Sequence, residues 1–118
     1  MRNFIYEENI FTKILRGEIK SDFLYEDDYA VAFKDINPIA PVHIIVIPKV
    51  MVCDFSGLMR ENDDIVVGFF RAVSSIINSC DLQDKGYRLV TNCGEYGCQE
   101  VMHMHMHILS GVELDAMA

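Results

Sequence analysis

A chain of 118 residues, 51% hydrophobic and 24% charged, holds enough apolar material for one cored domain and too much for disorder. Ten basic against eighteen acidic side chains give a formal charge of −8, a field that repels polyphosphate polymers and so argues against nucleic acid as a partner. No stretch has the apolar length of a membrane span, and Glu7 and Glu8 interrupt the run that a secretory signal would need.

Ile10, Phe11, Ile14 and Leu15 share one helical face, and Gly17 stands where such a helix can stop. Residues 23–25 and 29–35 are β-prone runs joined by Asp27 and Asp28, the pattern of a hairpin. Pro38 and Pro41 force a loop before residues 42–47, which are apolar on both faces and read as a central strand ended by Pro48. Over residues 61–80, Ile65, Val66, Phe69, Phe70, Val73, Ile76 and Ile77 recur at helical spacing, and Asn62, Asp63 and Asp64 suit the positive end of that helix. Two further strands, residues 87–92 and 101–109, are linked by a glycine-bearing loop over residues 93–99. The expectation is a single α+β domain over residues 1–118, an antiparallel sheet of about five strands with two helices packed on one face and the site on the other. Cys53, Cys80, Cys93 and Cys98 show no CxxC spacing and are expected as reduced thiols of a cytoplasmic protein.

Three of the four histidines, His103, His105 and His107, alternate with Met104 and Met106. On a strand this places the imidazoles on one face and the methionines on the other. A metal site is the competing use of such a row. Same-face neighbours are ~6.7 Å apart, so the outer two rings start ~13 Å apart and do not easily meet on one ion with ~2 Å bonds. Two adjacent rings need a third ligand, for which His43 is the obvious choice. An extended anion suits the row better, because neutral imidazole is a competent nucleophile near pH 7 and neighbours can set its tautomer and steady phosphorus oxygens. His105, flanked on both sides, is the candidate for attack. Gly94 and Gly97, beside this row, allow backbone N–H groups to approach a phosphate.

The run His103-Met-His-Met-His-Ile-Leu109 matches the pattern His-φ-His-φ-His-φ-φ, and the chain resembles the histidine triad family. Asp35-Ile36, Pro38 and Pro41 before His43, Ile45-Val46-Ile47-Pro48-Lys49, Gly86-Tyr87-Arg88 and Asn92 are similar to its Hint branch. The resemblance implies that His105 attacks the α-phosphorus of a purine nucleoside phosphoramidate and forms a nucleotidyl-imidazole that water hydrolyses. It also implies that His107 contacts phosphate, that His43 and His103 orient or polarise the catalytic ring, and that Asp35 binds the ribose hydroxyls. Phe11, Ile14, Phe33 and Ile36 would line the base pocket, with Asn92, Gly97 and Gln99 as further substrate contacts. No cofactor is expected, and a homodimer joined through residues 87–92 and the long helix is.

The chain also departs from the family's pattern. Glu100 stands where Hint proteins commonly carry serine, and Asn9 and Thr12 stand where zinc-bearing members carry cysteines, so no structural zinc is expected. Leu109-Ser-Gly111 replaces the Ile-Pro-Arg ending of the Fhit branch, which cleaves dinucleoside polyphosphates and is the alternative activity. Binding of a nucleotide with incidental hydrolysis is the alternative outside catalysis.

Overall fold

Asn9 starts the first helix, α1 (Ile10–Leu15), through a reciprocal cap: its carboxamide oxygen accepts from the N–H groups of Phe11 and Thr12, and the Thr12 hydroxyl accepts from the Asn9 backbone N–H. Gly17, at φ 76°, turns the chain away from the helix end. The hairpin follows as β1 (Phe23–Glu26) and β2 (Ala30–Lys34), and its turn is closed by the Asp27 carboxylate, which accepts from the N–H groups of Tyr29 and Ala30. The central strand β3 (Val42–Pro48) comes next, then α2 (Phe55–Leu58), α3 (Asp63–Ser79), β4 (Arg88–Val90) and β5 (Met106–Ser110). This computed structural model describes residues 5–116, so the first four and last two residues of the expected domain lie outside the described residues.

The strands form one antiparallel sheet in the order β1-β2-β3-β5-β4. Alternation along β2, β3 and β5 divides their side chains between two cores. Ala30, Ala32, Ile44, Val46, Met106 and Ile108 meet Phe69, Ala72, Val73 and Ile76 of α3 and Leu58 of α2, whereas Val31, Phe33, Ile45 and Ile47 meet Phe11 and Ile14 of α1. Two helices therefore do lie on one face, but they are α2 and α3. The first helix, expected beside the long one, packs on the opposite face. Its apolar stripe could not reveal which side of the sheet it would cover, and four-residue α2 is too short to show a period.

The last strand is shorter than residues 101–109. Continuing the β3–β5 register beyond Val46↔Met106 would bring Met104 opposite Pro48, which has no N–H for a ladder. The chain leaves the ladder there, with the Met104 N–H donating to the Val52 carbonyl at 2.8 Å. Met104 still points into the α3-side core and His103 and His105 still point away from it, so the alternation outlasts the hydrogen bonds. No helix among the described residues is long and apolar enough to cross a membrane.

Candidate active site

The α1 face of the sheet carries the histidines. His43 on β3 and His107 on β5 converge with Nε2 and Nδ1 2.8 Å apart, and His105 stands beside His107 at 5.2 Å between ring centroids. Phe11 backs the row, meeting His105 edge-on at 5.0 Å and Phe33 at 5.9 Å. His43, His103 and His105 are all buried, while His107 opens onto a groove of roughly 730 Å³ that it shares with His43, Ile39, Asn92 and β4.

Hydrogen-bond partners fix where each proton sits. Nδ1 of His105 lies 2.7 Å from the His103 carbonyl, which can only accept. That nitrogen carries the proton, and Nε2 keeps a bare lone pair with no partner among the described residues. In His43 the pattern is reversed: Nδ1 accepts from the Ile39 N–H at 3.1 Å, so the proton is on Nε2 and points at Nδ1 of His107. His107 must then hold its proton on Nε2. The row thus offers a nucleophilic nitrogen on one ring and an N–H donor on its neighbour.

Burial strengthens this assignment by disfavouring imidazolium. Desolvation lowers the pKa of His107 to about 4, helped by the fields of His105 and His43 and opposed by Asp35. It lowers the pKa of His103 to about 4 as well, against the hydrogen bond to Pro48. His105 is lowered by the same cause, while its bond to the His103 carbonyl and the negative fields of Glu100 and Asp35 push the other way. The exposed Glu100 therefore acts on the site through its field.

Asp35, the residue after β2, is partly exposed beside His43. One oxygen accepts from the Asn37 N–H at 2.8 Å and the other lies 3.4 Å from Nε2 of His43. Phe11, Ile14 and Phe33 are brought together as a small apolar floor. Ile36 is not gathered in: it is 91% exposed. Asn92 and Gln99 serve the loop between β4 and the histidines. Asn92 donates to the Gly97 carbonyl at 2.7 Å, and the Gln99 amide donates to the carbonyls of Cys53 and Val101 while its oxygen accepts from the Gly94 N–H. Both protons of the Gln99 amide are spent within the fold. Gly97 is required for packing, since a Cβ there would fall 2.6 Å from the Cys93 carbonyl oxygen.

Sequence reasoning missed three contributors. Tyr6 bonds His103, Thr91 donates to the His105 carbonyl at 2.8 Å, and the Ile39 amide sets the His43 tautomer. Only the two prolines flanking Ile39, which shape its loop, left any trace in the sequence.

Asp35, His43 and His107 place three ligand atoms within 4.8 Å of one another, a spacing compatible with a metal ion. Only one ring of the row, His107, belongs to this group; the two adjacent rings with His43 as third ligand are not what the fold assembles, and Asp35, which the row alone did not suggest, completes the three. Their protons do not fit an ion. A metal on Nε2 of His43 would displace the proton to Nδ1, where the Ile39 N–H already points.

The HIT domain family model matches residues 16–114. An HIT-like protein of Azospirillum brasilense is 45% identical over 112 residues, covering 92% of this chain and 90% of that one. The purine nucleoside phosphoramidase of Escherichia coli K12 is 40% identical over 111 residues, covering 94% and 93%. Among solved structures, a histidine triad protein from Clostridium difficile superposes with a TM-score of 0.84 at 38% identity, covering 95% of this chain and all of that one. A HIT family hydrolase from Clostridium thermocellum gives 0.84 at 37%, covering 96% and 98%. With the alternating histidines, the sheet that carries them and these likenesses in agreement, the chain belongs to the histidine triad, or HIT, family.

Proposed function

We propose that the protein is a hydrolase of purine nucleoside phosphoramidates. Nε2 of His105 attacks the α-phosphorus, the P–N bond breaks, and the amine departs with a proton taken from solvent, which the hydrolytic water gives back in the second step. Water then displaces the imidazole from phosphorus and releases the nucleoside monophosphate. The observation that carries this reading is the paired proton placement, a bare Nε2 on His105 beside an N–H donor on His107; in this scheme that donor meets the phosphate oxygens. The phosphoramidase name of the Escherichia coli relative supports the substrate class.

In this scheme Asp35 accepts from the ribose hydroxyls, and Phe11, Ile14 and Phe33 form the floor under the base. Ile36 contributes an apolar rim from its exposed position. The working unit is a homodimer: β4 is a bare edge of only three residues, with the exposed side chains of Tyr87 just before it and Leu89 within it, and such edges are normally covered. Sedimentation equilibrium at micromolar protein is expected to show twice the chain mass, and a lone 13.5 kDa species would refute the dimer.

Steady-state turnover of a fluorogenic adenosine phosphoramidate tests the activity. Tight AMP binding without turnover would refute hydrolysis and leave nucleotide binding as the function. Faster cleavage of a dinucleoside polyphosphate than of the phosphoramidate would move the substrate to that class.

A further inference from the structure

Tyr6 belongs to none of the sequence patterns, yet its hydroxyl lies 2.6 Å from Nδ1 of His103, 2.5 Å from Oγ1 of Thr12 and 3.3 Å from Nδ2 of Asn9. Its ring meets the imidazole edge-on at 5.5 Å. His103 has no solvent exposure, so water does not stand in for a lost partner.

The protons of this cluster can be placed in turn. Nε2 of His103 lies 2.9 Å from the Pro48 carbonyl, which only accepts, so the ring proton is on Nε2 and Nδ1 is bare. The lowered pKa of about 4 keeps the ring in this neutral form near pH 7. Tyr6 must therefore donate to Nδ1, and its oxygen is left to accept from the Thr12 hydroxyl and the Asn9 amide. Thr12 in turn accepts from the Asn9 backbone N–H at 3.1 Å. Donation runs one way, from the cap of α1 through Tyr6 and the His103 ring to Pro48 at the end of β3. Asn9 Nδ2 donates at 3.0 Å to the Glu7 carbonyl and shares its other proton between the Tyr6 hydroxyl and the Met102 carbonyl, each 3.3 Å away.

What this chain of donors holds is residue 103, and the carbonyl of residue 103 sets the His105 tautomer. We propose that Tyr6 is a positioning residue for the nucleophile: its hydroxyl, steadied by Thr12 and Asn9, clamps the His103 ring and thereby fixes the carbonyl that aims His105. This rests on the assignment of His105 as nucleophile. It also gives Asn9 and Thr12 a task beyond capping α1.

Tyr6→Phe removes the donor and keeps the ring. Its kcat on the fluorogenic phosphoramidate is expected to fall about ten- to a hundredfold with KM within about threefold, because a misaimed reacting group costs turnover while ligand contacts are untouched. Thr12→Val is expected to lower kcat in the same sense, and Thr12→Ser, which keeps the hydroxyl, to restore most of that loss. In nitrogen-15 spectra the His105 Nδ1 proton, held by the His103 carbonyl, should be visible in the wild type and should exchange faster in Tyr6→Phe. A kcat within about twofold of wild type would overturn the proposal. So would a loss of kcat that leaves the His105 Nδ1 proton signal unchanged. If the wild type does not turn over the phosphoramidate at all, the proposed activity fails, and the ring-proton signal alone decides the positioning role.

Discussion

Acid should destabilise this protein through His103 in a way that can be isolated. In the unfolded chain its imidazole titrates near 6.5, whereas burial in the fold lowers that to about 4. As the pH falls through 6.5 the unfolded chain takes up a proton that the folded chain refuses, so stability drops. The loss ends when the folded state also protonates, near pH 4. At ~1.4 kcal/mol for each pH unit between those limits, His103 alone removes roughly 3 kcal/mol, a large share of the 5–15 kcal/mol that holds a typical domain together. Urea unfolding at a series of pH values, at one fixed protein concentration, should show wild type losing about 3 kcal/mol more than His103→Gln between pH 7 and pH 4. The comparison uses the difference between two pH dependences, so a general destabilisation of the variant cancels. The His103 Cε1 proton resonance in the folded wild type should stay put down to about pH 5. Parallel stability curves, or a ring resonance that moves near pH 6.5, would refute the reasoning.

His105→Ala should abolish turnover while AMP affinity stays within about an order of magnitude, because base, ribose and phosphate keep their other partners. Quenched turnover of an α-labelled substrate should place label on a histidine in wild type and none in the variant; label retained in the variant would refute covalent attack by this ring. Asp35→Ala should weaken AMP binding by about ten- to a hundredfold, the worth of a charge-assisted hydrogen bond; unchanged affinity by calorimetry would remove Asp35 from the ribose. Glu100→Gln should shift the acid limb of kcat/KM to lower pH, since the Glu100 field raises the His105 pKa and its removal lets that ring stay neutral further into acid. An unmoved limb would mean that the limb does not report His105. Gly68→Ala should destabilise by about 1–3 kcal/mol although alanine favours helix by about 1 kcal/mol. The new Cβ would fall 2.3 Å from Cγ of the Tyr29 ring, so a raised melting temperature would show that the ring moves aside freely.

Periodicity made much of this protein legible before any coordinates. The long helix was readable because it buries one stripe, which leaves a repeat of 3.6, and the central strand because burial on both faces leaves an unbroken apolar run between turn signals. The histidine row was readable from a repeat of 2: alternation alone puts His103, His105 and His107 opposite Met104 and Met106, even where the ladder has ended at Pro48. Which face of the sheet α1 covers was not in its own sequence, because an apolar stripe specifies burial but not the surface that buries it. Tertiary structure alone decided the protons. The Ile39 amide, the carbonyls of Pro48 and His103 and the Tyr6 hydroxyl choose the tautomers of His43, His103 and His105. These are single directional contacts, three of them to backbone N–H or C=O groups that almost any residue would supply, and such groups leave no pattern in a sequence until folding brings them to one ring.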